Sequence, residues 1–338
     1  MKIKILCTLG PASLNSDVIE GLDRRGVDLL RINLSHTSPE EVEPVIALIR
    51  QHTSTPICLD TQGAQVRSGR MEPGVELTEG NEIVLTAEPI DGTHAMIPLW
   101  PPTILGLLEP GTTLSIDFDA AMVEVTDVDE HRAAAVVVRG GRVRSNRAAT
   151  VDPAIDLPPL SQEDRAAVAI GARRGIAHYA LSFAASSDHV AQLRALAPAG
   201  SHVIAKIESR AGVSNMDSII HAADSVLIDR GDLSREIPIE HVPYYQKAIV
   251  RRANRWNRPV YVATNLLESM VASRVPTIAE ANDIANTLLD GVHGLVLAAE
   301  TAVGIDPVGA VDIVLRAVRA FERSTDSQLL DEDAALVT

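Results

Sequence analysis

The chain reads as an α/β protein: a (β/α)8 TIM barrel with a small all-β domain inserted after the third barrel strand. Three observations predict this. Eight short apolar runs of strand length recur along the 338 residues. Amphipathic, helix-period segments separate most of them, and that alternation builds a parallel sheet. One interval, 68–152, loses the helical period and becomes alternating, β-branched and punctuated by turns. Eight β/α units are the number that closes a barrel.

Taken in order, the strand-like runs are "IKILCTLG" (3–10), "LLRINLS" (29–35), "PICLD" (56–60), "HYALSF" (178–183), "HVIAKIES" (202–209), "SVLIDRGD" (225–232), "PVYVAT" (259–264) and "GLVLAAET" (294–301). Helical patterns such as "SDVIEGLDRRG", "SSDHVAQLRALAP" and "TIAEANDIANTLLDG" lie between them, and "VGAVDIVLRAVRAFER" (308–323) is the last. The barrel is expected over 1–67 and 153–325, the insert over 68–152, and an acidic, frayed tail over 326–338.

A hydrophobic share of 46% with 22% charged residues favours a large core over disorder. The formal net charge of −15 argues against nucleic-acid or anionic-membrane partners, yet a local arginine and lysine cluster can still hold a small anion. The two cysteines, Cys7 and Cys58, sit in apolar strands, so reduced thiols rather than a disulfide framework are expected. No apolar run reaches about 18 residues, and the N-terminus lacks a signal-peptide pattern, so a cytoplasmic location is expected.

Barrel active sites form at the C-terminal ends of the strands, and the unusual residues fall there. Strand two ends in Arg31, Asn33 and Ser35, and strand three in Asp60 and Thr61, with Arg67 beyond. Strand five ends in Lys206 and Glu208, strand six in Asp232, strand seven in Thr264 and strand eight in Glu300. An arginine in the apolar run "LLRINLSH" is costly unless it meets a negative charge.

Lys206 and Glu208 are two apart and share one strand face. They read either as a plain ion pair or as part of a magnesium site, in which Glu208 and Asp232 offer hard oxygens and Lys206 meets a phosphoryl group or oxyanion. Gly231 in "DRGDLSREIP" reads as a turn, or as a pair of exposed N–H groups that take a carboxylate or phosphate. Asn33, Ser35, Asp60 and Thr61 read as a hydrogen-bonded cap or as monovalent-cation ligands. Thr264 reads as a helix N-cap or a proton relay through water. The arginines of "RGGRVRSNR" (139–147) read as a solvated linker or as nucleotide-phosphate contacts.

Together with "CTLGPAS", "LDTQGAQVRSG", "AIDLPPLSQED", "VATNLLESM", "PTIAEANDIANTLLDG" and "AAETAVGIDPVGAV", these segments closely resemble the pyruvate kinase family up to about residue 323. The resemblance implies Mg2+ (or Mn2+) on Glu208 and Asp232, with Arg31 and Lys206 on the transferring phosphoryl group. It implies a substrate carboxylate on the Gly231–Asp232 backbone, and Thr264 beside the protonating enolate. K+ would sit on Asn33, Ser35, Asp60 and Thr61, and Pro11, His36, Asn33, Arg67 and Arg147 would lie on the nucleotide side. The implied activity is phosphoryl transfer between phosphoenolpyruvate and ADP, giving pyruvate and ATP, a glycolytic step, with the insert as a lid.

The departures are on the nucleotide side, in the lid and at the C-terminus. The family's C-terminal regulatory domain has no counterpart here, so effector control of the usual kind is not expected, and a homodimer is expected rather than a tetramer. The family's "DDG" appears as "DFDAA", leaving Asp119 as its match, and Arg147 stands where a lysine is usual. "RPTRAE" becomes "VPTIAE", "GDLG" becomes "GDLS", and Gln65 leaves potassium dependence open. Two other functions remain: a specialised relative with a different small-molecule phosphoryl donor or acceptor, and a non-catalytic barrel-based binding protein.

Overall fold

The computed structural model describes residues 2–63, 65–117, 120–129, 131–153, 155 and 157–325. The expectations for Asp119 and for the tail 326–338 lie outside the described residues. The chain divides into two compact units, Met1–Gly63 with Pro159–Thr338, and Ala64–Pro158. The divisions fall four residues before and six residues after those read from the sequence, 67/68 and 152/153, because the loops leading into and out of the insert pack with it.

The first unit is a closed, all-parallel barrel of eight strands: β1 (Lys4–Leu9), β2 (Leu29–Asn33), β3 (Ile57–Asp60), β4 (His178–Leu181), β5 (His202–Ile207), β6 (Ser225–Asp229), β7 (Val260–Ala263) and β8 (Gly294–Leu297). Neighbours follow chain order, and β1 pairs with β8 to close the ring. All eight expected strands form. Seven end before their apolar runs do, and two of them stop three or more residues short. β6 stops at Asp229, and Asp232 lies in the following helix, Arg230–Glu236. β8 stops at Leu297, and Glu300 lies on the short helix Ala299–Ala302. In both places a polar side chain caps the turn that follows: Asp229 caps its helix, and Glu300 accepts from the Ala298 N–H at 2.8 Å.

Helix starts follow local capping chemistry. Ser161 with Asp164 and Thr277 with Glu280 form reciprocal capping boxes, opening the helices Gln162–Arg173 and Ile278–Leu289. Asp164 is buried and also accepts the Gln62 and Gly63 N–H groups at 2.7 and 3.0 Å, which pins the turn after β3 to the next barrel helix. Gly63 has φ 76°, and a side chain there would meet Ser182 Cβ at 2.8 Å, so only glycine fits.

Two apolar layers form this unit. The larger lies between the barrel and its helices. The smaller is inside the barrel and draws a residue from every strand: Leu6, Leu29, Cys58, Ala180, Ile204, Leu227, Tyr261 and Val296. Strand side chains alternate, so the residue two positions on shares the same inward face. On six of the eight strands those next positions are polar, Thr8, Arg31, Asp60, Ser182, Lys206 and Asp229, and on β7 and β8 they are Ala263 and Ala298. The lumen thus changes from apolar to charged within a single step. Cys7 and Cys58 are buried and free.

The second unit holds a seven-stranded sheet in the order 149–152, 113–116, 121–128, 132–139, 82–86, 96–100, 67–68, and a two-stranded ribbon of Gly141–Arg142 with Glu76–Leu77. One 3-10 helix, Pro102–Leu107, interrupts its β character. Its core includes Leu85, Ile97, Leu114 and Val123.

Candidate functional site

The charged layer at the C-terminal end of the barrel lumen is the candidate site. Lys206 is buried at 5% exposure, and its Nζ lies 3.0 Å from Ser182 Oγ, 3.2 Å from Glu208 Oε2, 3.6 Å from Asp60 Oδ1 and 4.0 Å from Asp229 Oδ2. Burial works against its charge, but Asp60, Glu208 and Asp229 outweigh that cost and hold the ammonium above the ordinary lysine range. The negative charge that Arg31 meets is Asp60, 3.1 Å away. Its Nε donates to Thr8 Oγ1 at 2.9 Å, and that hydroxyl donates onward to the Leu297 carbonyl. Burial opposes the Arg31 charge too, and Asp60 and Asp229 overcome it.

Glu208 is fully buried. Its Oε1 accepts the Phe183 N–H at 2.7 Å. Its Oε2 faces Lys206 as an ion pair but has no aligned hydrogen-bond partner among the described residues. Burial pushes its carboxyl up, to about 8, and Asp232, Asp229 and Asp60 push the same way against Lys206. Phe183 (φ 51°), Thr264 (φ 67°) and Asn265 (φ 56°) all adopt left-handed backbone next to these groups. Such strain gathers where the surroundings hold a chain in a functional shape. At Thr264 the holder is Arg230, which donates to its carbonyl at 2.7 and 3.1 Å and pairs with Asp283.

Glu208, Asp229 and Asp232 present carboxylate oxygens that all lie within 4.8 Å of one another. This is a donor set of hard oxygens, and one buried oxygen of the group, Glu208 Oε2, has no aligned donor. Both features fit a divalent cation of the magnesium kind. Asp232 also pairs with Arg235 at 2.7 Å.

The structure brings Arg31, Asp60, Lys206, Glu208 and Thr264 to one end of the barrel, as their strand-end positions predicted, and Asp232 joins them from the helix that follows β6. The Gly231–Asp232 amides are not exposed donors as expected. Asp229 Oδ1 accepts both, at 3.2 and 3.4 Å, and also the Thr264 hydroxyl at 3.0 Å. Thr264 is not a helix N-cap; its Oγ1 accepts the Gly231 N–H at 2.8 Å.

Three of the four side-chain oxygens read as a monovalent-cation set, those of Asn33, Asp60 and Thr61, are bound into the layer or its rim. Asn33 Oδ1 accepts the Ser35 N–H, Thr61 Oγ1 accepts the Ser182 N–H, and Asp60 lies between Arg31 and Lys206. Pro11 and His36 are exposed, just past the ends of β1 and β2. Arg67 and Arg147 belong to the second unit. There Arg147 lies 3.7 Å from Asp117, which also binds Arg144 at 2.8 Å.

Sequence reasoning missed Asp229, Ser182, Thr8 and Arg230. The first three were within reach: each lies two residues beyond an apolar lumen residue (Leu227, Ala180, Leu6) on a run already read as a strand.

Fold and site together define a (β/α)8 barrel protein with a carboxylate group suited to a divalent cation beside a buried lysine and arginine. A family model described as pyruvate kinase, barrel domain, matches residues 1–311, and the chain belongs to the pyruvate kinase family. It is similar to the pyruvate kinase of Geobacillus stearothermophilus, 36% identical over 355 residues, covering 100% of this chain and 60% of that protein. It is also similar to that of Methylorubrum extorquens (36% over 330 residues; 95% and 69%) and that of Thermococcus litoralis (33% over 337 residues; 96% and 71%). The chain spans 60% to 71% of these relatives' own lengths. Among the described residues no helix is long and apolar enough to cross a membrane.

Proposed function

We propose that the chain catalyses phosphoryl transfer between phosphoenolpyruvate and ADP, the pyruvate kinase reaction. The observation that carries this is the buried Lys206, placed among Glu208, Asp60 and Asp229 next to a carboxylate group suited to Mg2+ or Mn2+. Glu208 and Asp232 would hold the ion, with Asp229 alongside, and when bound it would neutralise phosphoryl oxygens. Lys206 and Arg31 supply fixed positive charge to the transferring group, and their acidic neighbours keep both charged. Family membership and the Thr264 hydroxyl, held at the same barrel end, support its part in protonating the enolate left by transfer.

In the same reading Asn33, Ser35, Asp60 and Thr61 take K+, and Pro11, His36, Asn33, Arg67 and Arg147 serve the nucleotide. The insert acts as the lid, and the protein works as a homodimer in the cytoplasm. The test is pyruvate release from phosphoenolpyruvate and ADP with Mg2+, with and without K+, in wild type and Glu208→Ala. Turnover that needs Mg2+ and is lost in the variant is expected. Absence of turnover in a protein that still binds phosphoenolpyruvate would favour the specialised-relative reading, with another phosphoryl partner.

A further inference from the structure

Asp229 stands beside the proposed ion, but neither the resemblance nor the reading above gives it a part in choosing the substrate. It is 5% exposed. Its Oδ1 accepts three donors at once: the Gly231 N–H, the Asp232 N–H and the Thr264 hydroxyl. The two amides are the donors that a substrate carboxylate is expected to use. A second carboxylate brought to them would compete for the same hydrogens and meet the Asp229 charge at hydrogen-bond range, where like charges repel and a displaced anion is left without donors. The chain thus carries its own carboxylate where the substrate's would bind.

We propose that Asp229 determines substrate choice: it fills the carboxylate subsite from within, so phosphoenolpyruvate gains little from its carboxylate and the site also accepts phosphoryl compounds that bring none next to the reacting group. This deepens the phosphotransferase reading and rests on it. Lys206, Arg31 and the cation ligands remain to bind the phosphoryl group itself, and that group is common to both kinds of substrate. The period-two position of Asp229 above Leu227 fixes it in the lumen, so it cannot turn to solvent without breaking β6.

The test is calorimetric binding to the full chain with Mn2+, using two probes, phosphoenolpyruvate and its carboxylate-free counterpart vinyl phosphate. Wild type is compared with Asp229→Ala, which removes the competing charge and bares the Asp232 N–H while the Gly231 N–H keeps its bond to Thr264 Oγ1 and the Thr264 hydroxyl its bond to the Ala263 carbonyl, and with Asp229→Ser, whose hydroxyl still caps the helix. The expected result is that wild type binds vinyl phosphate at least as well as phosphoenolpyruvate. In both variants the affinity for phosphoenolpyruvate relative to vinyl phosphate, a ratio in which any shared effect on the ion or on Lys206 cancels, then rises roughly tenfold. If the alanine variant does not fold, the serine variant decides.

A wild type that prefers phosphoenolpyruvate, with a preference unmoved in the variants, overturns the role of Asp229 and leaves the phosphotransferase reading standing. Failure of wild type and variants to bind either probe overturns both.

Discussion

The two ends of the barrel lumen are built from the same strands and the same inward-facing positions, yet they are made of opposite materials. Below, Leu6, Leu29, Ile204, Leu227 and Tyr261 form a buried apolar plug. One alternation higher, Thr8, Arg31, Lys206 and Asp229 put hydroxyl and charge into the same lumen. The plug contributes transfer free energy and dense packing. The layer above it gives up that gain and carries the desolvation of buried ions, which pairing only partly offsets. A barrel needs the first kind of layer to hold its shape. The second kind is retained where charge must be presented to something bound. The contrast teaches where in one continuous lumen folding ends and chemistry begins.

The sharpest way to break this contrast is Lys206→Met. Under the proposed function it removes the central cation, and phosphoryl transfer is expected to fall by ~10³-fold or more. Near-normal turnover would return Lys206 to the structural side. From the other end, Leu227→Ala opens a cavity in the plug and is expected to cost ~2–5 kcal/mol in urea denaturation while leaving Mn2+ affinity unchanged. A variant that instead keeps its stability and loses the ion would erase the distinction between the layers.

Next in size is Glu208→Gln, which keeps the shape of a cation ligand and removes its charge. Mn2+ affinity should weaken by about 10- to 100-fold, read by calorimetry without any turnover. Unaltered affinity would place the ion elsewhere.

The smallest effect concerns pH, and the two ends should differ in sign. His178 and His202 open β4 and β5, and His293 precedes β8, all at the far end from the site. Burial holds each below the ordinary histidine range, and Lys4 adds to that at all three. They are favoured neutral in the fold, so their share of stability is complete above about pH 6.5 and declines as pH falls, by at most one proton each. Glu208 works oppositely. Burial raises its carboxyl to about 8, so its share is present below about pH 4.5 and is lost as pH rises through about 8. Metal-free Glu208→Gln, which lacks the second contribution, should show stability falling more steeply below pH 6.5 than wild type does. Equal slopes in the two proteins would show that Glu208 titrates normally.

Much of the barrel was legible in the chain. Strand length, alternation and capping boxes are local properties, and the eight runs, the insert and the strand-end residues Arg31, Asp60, Lys206 and Glu208 follow from them. The errors have physical causes. An apolar run does not show where a cap ends the strand, so Asp232 and Glu300 were placed on strands when they lie on the helices that follow.

What the sequence determined by itself was periodicity: which side chains face the lumen and at which end. That follows from backbone geometry within each strand and needs no neighbour. Only the tertiary structure decided which donors and charges are already taken. Asp60 is held between Arg31 and Lys206, Thr8 on β1 is bonded to Leu297 on β8, and Asp229 occupies the Gly231 and Asp232 amides together with the Thr264 hydroxyl. Most of these partners are distant in sequence and meet because the barrel closes. Hydrogen bonds and ion pairs act over a few ångströms in space, so the occupancy of a site is decided by the closed fold rather than by the order of residues.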